Sequence, residues 1–417
     1  MPDPTDGAES MNRFSTSQGG RGASTPSEPL GESPPGLPST PEELTTATQA
    51  IERPSIAIVN SSSRFGGITL SAVSLYDALR SSGFPVTWYQ CVDGGRERFT
   101  PDGGVVVSGA GIRIESLELG VNRLWTFPRR LQWIPEDIVL LADPTLTYVA
   151  RYHRRSIVLV YDLLPLSHYA DRLDSRWMFR YVIPKLRTMT RVIVPTTTLR
   201  DELVRRGVDP RRIRMVRLSH SLGEHPDHVD RSVERVHRTR ELRVLYVATD
   251  RPWKNIDFVL RLAKAMESVS SGTHFTFTLL SQLMPSTRQR FEDLKLTNVR
   301  IIERLPSIAS LYDESDVLVY PSLYEGFGRP LIEAQAFGLP IVANRIQPFI
   351  ELLGDAGILL SVDSLDAWIA TLTSLADPDT LRAHAQRSLE LSRSYAPERY
   401  RESVLEAFDR LPAGRWR

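Results

Sequence analysis

Twice along this chain short apolar runs alternate with amphipathic stretches, and a polar interval separates the two series. The first series opens at Ile56-Ala57-Ile58-Val59, passes a loop holding Gly66 and Gly67, and enters a stretch, 68–80, whose apolar positions Leu70, Val73, Leu75 and Leu79 suit a helix. Further strands are predicted at 86–89, 105–107, 138–141, 157–161 and 192–195, with helices such as 175–187 and 198–206 between them. From His220 to Arg240 the chain is polar and nearly free of apolar periodicity, which places an interdomain linker there. The second series has strands near 242–247, 275–280, 299–302, 317–320, 341–343 and 358–360, each followed by a helical pattern. Continuous apolar strands alternating with helices argue against sandwiches and bundles and for parallel sheets covered on both faces. The expected class is α/β, with two facing doubly wound domains and a cleft at the carboxyl ends of their strands, where such sheets bind ligands.

Length and charge refine this picture. At 417 residues the chain is too long for one core. Residues 1–53 are dominated by Pro, Ser, Thr and Gly, too poor in apolar groups to offset ordering entropy, and read as a disordered tail. That leaves expected domains at 54–235 and 240–396. Net charge is +1, with 51 basic against 50 acidic residues, which removes a global case for nucleic-acid binding. Yet residues 145–240 hold 20 basic and 10 acidic groups, enough local positive charge to attract an anionic membrane leaflet or a phosphate-bearing acceptor. The arginines at 200, 205, 206, 211, 212 and 214 are the candidates, against the plainer reading of a solvated surface. The single cysteine, Cys91, rules out an intrachain disulfide and a cysteine-built zinc site. No stretch approaches the ~18 apolar residues of a membrane span, and the start lacks the basic and apolar regions of a secretory signal. The expected location is cytoplasmic, with peripheral contact at the inner face of the membrane.

The stretch that carries chemistry is Tyr320-Pro321-Ser322-Leu323-Tyr324-Glu325-Gly326-Phe327-Gly328-Arg329-Pro330-Leu331-Ile332-Glu333-Ala334. A strand ends, a glycine-bearing loop follows, and Pro330 sits where a first helical turn tolerates it. Free backbone N–H groups and the helix dipole there suit a phosphate. Glu333 lies one turn inside the helix, placed for a ribose diol, and Glu325 lies in the loop eight residues earlier. Phosphates beside carboxylates need cations, and Val247-Ala248-Thr249-Asp250-Arg251-Pro252-Trp253-Lys254-Asn255 supplies Arg251 and Lys254 at the same sheet edge. His225-Pro226-Asp227-His228 has a ligand-like look but lacks a third partner, and Asp377-Pro378-Asp379 reads as a helix N-cap rather than a metal motif.

These residues resemble the retaining family 4 glycosyltransferases of the GT-B fold, two Rossmann-like domains facing across a cleft. LYEGFGRPLIEAQAFGLPIVAN looks like their Glu-(x)7-Glu signature, VLYVATDRPWKN like their diphosphate-binding segment, and LYDESDVLVYPS and ELLGDAGILL like the segments flanking the donor site. In the first domain NSSSRFGGI resembles the glycine loop near donor and acceptor, and VPTTTLRDELVRRGVDPRRIRMV resembles the helix and strand that close that domain. The resemblance implies hexosyl transfer from a nucleotide-diphosphate sugar, GDP-mannose or a UDP-sugar, to a glycan or lipid-linked acceptor in cell-envelope polysaccharide synthesis. It implies donor contacts from Gly66, Gly67, Arg251, Lys254, Glu325, Gly326, Phe327, Gly328, Pro330, Leu331 and Glu333, with Glu325, Lys254 and Arg251 acting on the reacting group. No metal or other cofactor is implied. The final helix, in 397–417, would cross back onto the first domain.

There are departures. Ala248 stands where relatives often have Gly, and Trp253 where many have Arg. Tyr161-Asp162 replaces a His-Asp pair, leaving Tyr161, Asp162 and His168 as acceptor-side candidates. The alternatives are an epimerase or phosphorylase on the same architecture, or a partner subunit that binds nucleotide sugar without turnover.

Overall fold

The structure, a computed structural model, describes residues 53–61, 67–93, 101, 103–111, 118, 120–163, 173–305 and 307–409. Residues 1–52 of the expected tail, and the site candidates Gly66 and His168, lie outside them.

Two parallel sheets carry the chain. The first is built from β1 (Ile56–Asn60), β2 (Val86–Val92), β3 (Val105–Ser108), β4 (Ile138–Leu141), β5 (Ser156–Leu159), β6 (Arg191–Val194) and β7 (Ile213–Met215), in the order β3-β2-β1-β4-β5-β6-β7. The second comprises β8 (Glu241–Val247), β9 (His274–Leu280), β10 (Val299–Ile302), β11 (Val317–Tyr320), β12 (Ile341–Asn344) and β13 (Ile358–Leu360), in the order β10-β9-β8-β11-β12-β13. Every residue of β1, β4, β11 and β12 is buried, as strands covered on both faces require. Strand order reverses between β1 and β4 and again between β8 and β11, so each sheet has its ligand crevice at those carboxyl ends.

Helices cover both sheets: α1 (Gly67–Ser81), α2 (Phe127–Arg130), α3 (Leu173–Leu186) and α4 (Thr197–Arg205) in the first lobe, then α5 (Pro226–Thr239), α6 (Ile256–Met266), α7 (Pro285–Leu294), α8 (Ala309–Asp313), α9 (Arg329–Ala336), α10 (Gln347–Leu353), α11 (Leu365–Leu375), α12 (Pro378–Ser392) and α13 (Pro397–Phe408). The expected polar linker at 220–240 is corrected by α5. Its stripe of His228, Val229, Ser232, Val233 and Val236 is buried, and the helix packs on α12. Asp377 caps α12 by accepting from Thr380 N at 2.9 Å.

The chain passes between the lobes twice. The outgoing passage near His220 and the returning passage near Tyr395 meet side by side, His220 N donating to Tyr395 O at 3.2 Å. Beyond it α13 lies on the first lobe, where Arg401 Nη2 donates to Ser81 O at 2.9 Å and Phe408 meets Phe84 at 6.2 Å between ring centroids.

Candidate functional site

On the second lobe, two loops at the carboxyl edge bring the catalytic candidates together. The turn after β8 carries Lys254, and the loop after β11 carries Glu325. Lys254 Nζ forms an ion pair with Glu325 Oε1, both side chains largely buried. Between them stands the last residue of β11: Tyr320 OH donates to Glu325 Oε1 at 2.8 Å and receives Lys254 Nζ at 3.2 Å. Two further bonds stitch the loops in register, Leu323 N to Trp253 O at 2.7 Å and Asn255 Nδ2 to Pro321 O at 3.3 Å, and Tyr246 OH, from β8, donates to Lys254 O at 3.1 Å. Burial pushes the phenols of Tyr246 and Tyr320 well above their ordinary range, with Glu325 adding to it, so both remain donors at neutral pH.

Gly328, with φ +102°, turns the chain into α9, a backbone state that excludes ordinary side chains. Pro330 follows in the first turn, and Phe327 and Leu331 are buried beneath it. Glu333, on the inner face of α9, is 8% exposed. Its Oε2 accepts from Tyr312 OH at 2.8 Å, and its Oε1 lies 3.5 Å from Arg329 Nε. Each carboxylate of the motif therefore has its own tyrosine donor and its own cation.

The first lobe touches this edge directly. A Cβ at Gly326 would collide with Tyr161 O and stand 2.8 Å from Asp162 Cβ, so only glycine permits the approach. Thr196 Oγ1 donates to Gly326 O at 3.2 Å, and Leu163 N donates to Tyr324 OH at 3.2 Å. Glu351, from α10, caps the first-lobe helix α4 across the gap, accepting from Thr197 N at 2.8 and 2.9 Å and from Thr198 N at 3.3 Å. A cavity of about 140 Å³ remains between Thr196, Leu199 and Glu202 on one side and Tyr324, Glu325 and Gly326 on the other.

Of the expected residues, Lys254, Glu325, Gly326, Phe327, Gly328, Pro330, Leu331 and Glu333 share this edge. Arg251 is exposed at the start of the Lys254 turn. Tyr161 and Asp162 reach the contact with Gly326 through backbone O and Cβ; the Tyr161 phenol is pushed up by burial, with Ser71 and the Arg329 charge opposing that push. Gly67 opens α1, and a Cβ there would lie 3.9 Å from Arg329 Cδ. Sequence reasoning missed Tyr246, Tyr312, Tyr320, Arg329 and Glu351. Arg329 was findable, since it stands four residues before Glu333 on a predicted helix. Among the described residues no three His, Cys, Asp or Glu side chains converge as a metal site. The rings of His225 and His228 instead meet the carbonyls of Leu222 and Phe337 at 2.9 and 2.8 Å.

Comparisons with known proteins follow this division into lobes. A family model described as Glycosyltransferase Family 4 matches residues 65–218, and one described as Glycosyl transferases group 1 matches 241–377. O-antigen chain mannosyltransferase B of Escherichia coli is 25% identical over 329 residues, which cover 72% of this chain and 82% of that protein. O-antigen chain mannosyltransferase RfbU of Salmonella typhimurium is 24% identical over 240 residues, 55% of this chain and 63% of that one. In structure, Anabaena HepE in complex with UDP-glucose superposes with a TM-score of 0.67 at 14% identity, covering 85% of this chain and 99% of that chain. With glycosyltransferase models on both lobes and the GT-B fold beneath them, the chain belongs to the family 4 glycosyltransferases and is a glycosyltransferase.

Proposed function

We propose that the enzyme moves a hexosyl unit, with retention of anomeric configuration, from GDP-mannose or a UDP-sugar to a glycan or lipid-linked acceptor of a cell-envelope polysaccharide. The observation that carries this reading is the Lys254–Tyr320–Glu325 cluster beside the start of α9, with Glu333 one turn inside it. The names of the O-antigen mannosyltransferases favour mannose and the envelope pathway. UDP-glucose in the HepE structure supports a nucleotide-sugar donor.

In this mechanism the diphosphate lies at the N-terminus of α9, where free N–H groups and the helix dipole favour negative charge. Lys254 is an ammonium with three donors, so it can hold Glu325 and a phosphate oxygen together. As the bond from the anomeric carbon to the leaving oxygen breaks, charge grows on the diphosphate, and a cation fixed by Tyr320 and Glu325 stabilises it without rearrangement. The acceptor hydroxyl oxygen bonds to that carbon on the face the diphosphate leaves, and its proton passes to the departing phosphate oxygen. Glu325 contacts the donor sugar, Glu333 holds the ribose, Arg251 adds positive charge at the rim, and no metal takes part.

Peripheral contact with an anionic leaflet belongs to the same proposal. In the basic region, Tyr152 and Tyr181 are 42% and 41% exposed, with Arg151 over Tyr152 and Lys185 over Tyr148; Trp133, 82% exposed, lies just before it. Some of the arginines first nominated are already paired, Arg206 with Glu202 and Arg211 with Asp209. Among the described residues no helix is long and apolar enough to cross a membrane.

The test is nucleotide release from a panel of nucleotide sugars, with the anomeric configuration of the product read by NMR. Release that disappears in Glu333→Ala and Lys254→Ala supports the transferase. Binding without release for any acceptor would instead identify a nucleotide-sugar-binding partner subunit, and an inverted product would end the retaining assignment. Co-sedimentation with anionic but not neutral vesicles, weakening with salt, tests the membrane contact.

A further inference from the structure

Arg329 has no task in the mechanism above. It is the first residue of α9, and its side chain is only 13% exposed. An arginine paired with a carboxylate frequently makes two parallel bonds at about 2.7–2.9 Å. Here Nε stands 3.5 Å from Glu333 Oε1, and among the described residues Nε has no hydrogen-bond partner. A guanidinium withdrawn from water with a donor unmet is unfavourable, and such a group calls for an explanation.

Its position supplies one. Arg329 Cδ comes within 3.9 Å of the place a Cβ would occupy on Gly67, the first residue of α1. The side chain therefore starts from the first residue of α9 and lies beside the first residue of α1, in the other lobe, and helix starts carry unpaired N–H groups that favour an anion. The other cation there, Lys254, is already shared between Glu325 and Tyr320. Arg251 is exposed. A diphosphate brings at least two negative charges, and a single lysine half-neutralised by a carboxylate does not balance them.

We infer that Arg329 is the second phosphate-binding cation of the donor site, its fork reaching a diphosphate between α1 and α9, and that the loose pair with Glu333 orients it. The inference rests on the nucleotide-sugar reading and adds to it a residue outside the Arg251–Lys254 segment. It also links two recognitions, since the carboxylate proposed for the ribose orients the cation proposed for the phosphates. Arg329 then contributes to affinity for the diphosphate and little to affinity for the nucleoside.

Isothermal titration of the full chain with UDP and GDP, and competition with uridine and guanosine, tests this on wild type, Arg329→Gln, Arg329→Lys and Arg251→Gln. For whichever diphosphate the wild type binds, Arg329→Gln should weaken binding about 10- to 100-fold, the range of one charged hydrogen-bonded contact. The matching nucleoside should change by less than about threefold, which also shows that the variant is folded. Arg329→Lys should fall between, because an ammonium keeps the charge and loses the planar fork. Arg251→Gln should lose less than Arg329→Gln. Equal losses for diphosphate and nucleoside, no loss in Arg329→Gln, or a larger loss in Arg251→Gln overturns the inference while leaving the donor reading in place. A wild type that binds neither UDP nor GDP removes both.

Discussion

Gly326 shows how tightly a single position sets this site. Its neighbours are the carbonyl of Tyr161 and Cβ of Asp162, in the opposite lobe, so a methyl group there meets main chain that cannot rotate away. Gly326→Ala should push the donor loop and the first lobe apart while leaving the second sheet intact. We predict a fall of about 100-fold or more in kcat/KM, the scale of an ångström of misplacement at a reacting centre. The change in Tm should be small; a variant with wild-type turnover would show that catalysis does not need this approach. Position 326 was legible in the sequence as a glycine beside a helix start. Why it must be glycine was not, because the atoms that forbid a side chain belong to residues 161 and 162. Arg329 and Glu351 escaped for the same reason: their meaning lies in Gly67 and Thr197, which only the folded chain brings near.

The strands were the most readable elements, since fully buried parallel strands need unbroken apolar runs and the sequence has them. Strand β7 was indicated only by family resemblance, for it is three residues long with Arg214 at its centre. Helix α5 was missed because three valines in a charged stretch make a thin stripe, completed by His228 and Ser232. His228 gives that helix a pH dependence. Its Nδ1 lies 2.8 Å from Phe337 O and its Nε2 3.1 Å from Asp313 O, and burial lowers its pKa against the opposing bond to Phe337 O and the charge of Asp313. The unfolded chain titrates histidine near 6.5. Between the lowered folded value and about 6.5 the unfolded state holds more protons, so stability rises with pH and falls on acidification. His153, His220 and His384 are lowered by burial as well and act in the same direction. We expect the urea midpoint to fall from about pH 7 to about pH 5.5, and His228→Gln to flatten that fall. An unchanged slope in the variant would assign the effect to the other histidines.

Across the whole molecule, one buried apolar cluster runs through both lobes, and Glu351 adds charged hydrogen bonds between them at the cleft. A carboxylate on the first turn of a helix it does not belong to is worth about 1–2 kcal/mol, and here the helix is α4 of the other lobe. Glu351→Ala should therefore shift the lobes toward separation about 5- to 30-fold in equilibrium terms. A larger radius of gyration by small-angle scattering and a weaker nucleotide affinity should appear together, since closure and binding are linked. Weaker affinity with an unaltered radius would place the effect of Glu351 inside the site instead. Cutting the chain after Tyr395 removes α13 and should expose Phe84 and destabilise the first lobe, although the cut is made at its border with the second.

The paired passages at His220 and Tyr395 have a mechanical consequence. One connecting strand lets two bodies bend, swing and twist, whereas two strands laid side by side and hydrogen-bonded act as a strip, stiff in its own plane and compliant across it. We therefore expect the lobes to open along one coordinate. Two spin-label distances spanning the cleft at well-separated points should rise and fall in proportion under every condition of ligand or salt. If they vary independently, the strip does not hold, and the lobes turn about more than one axis.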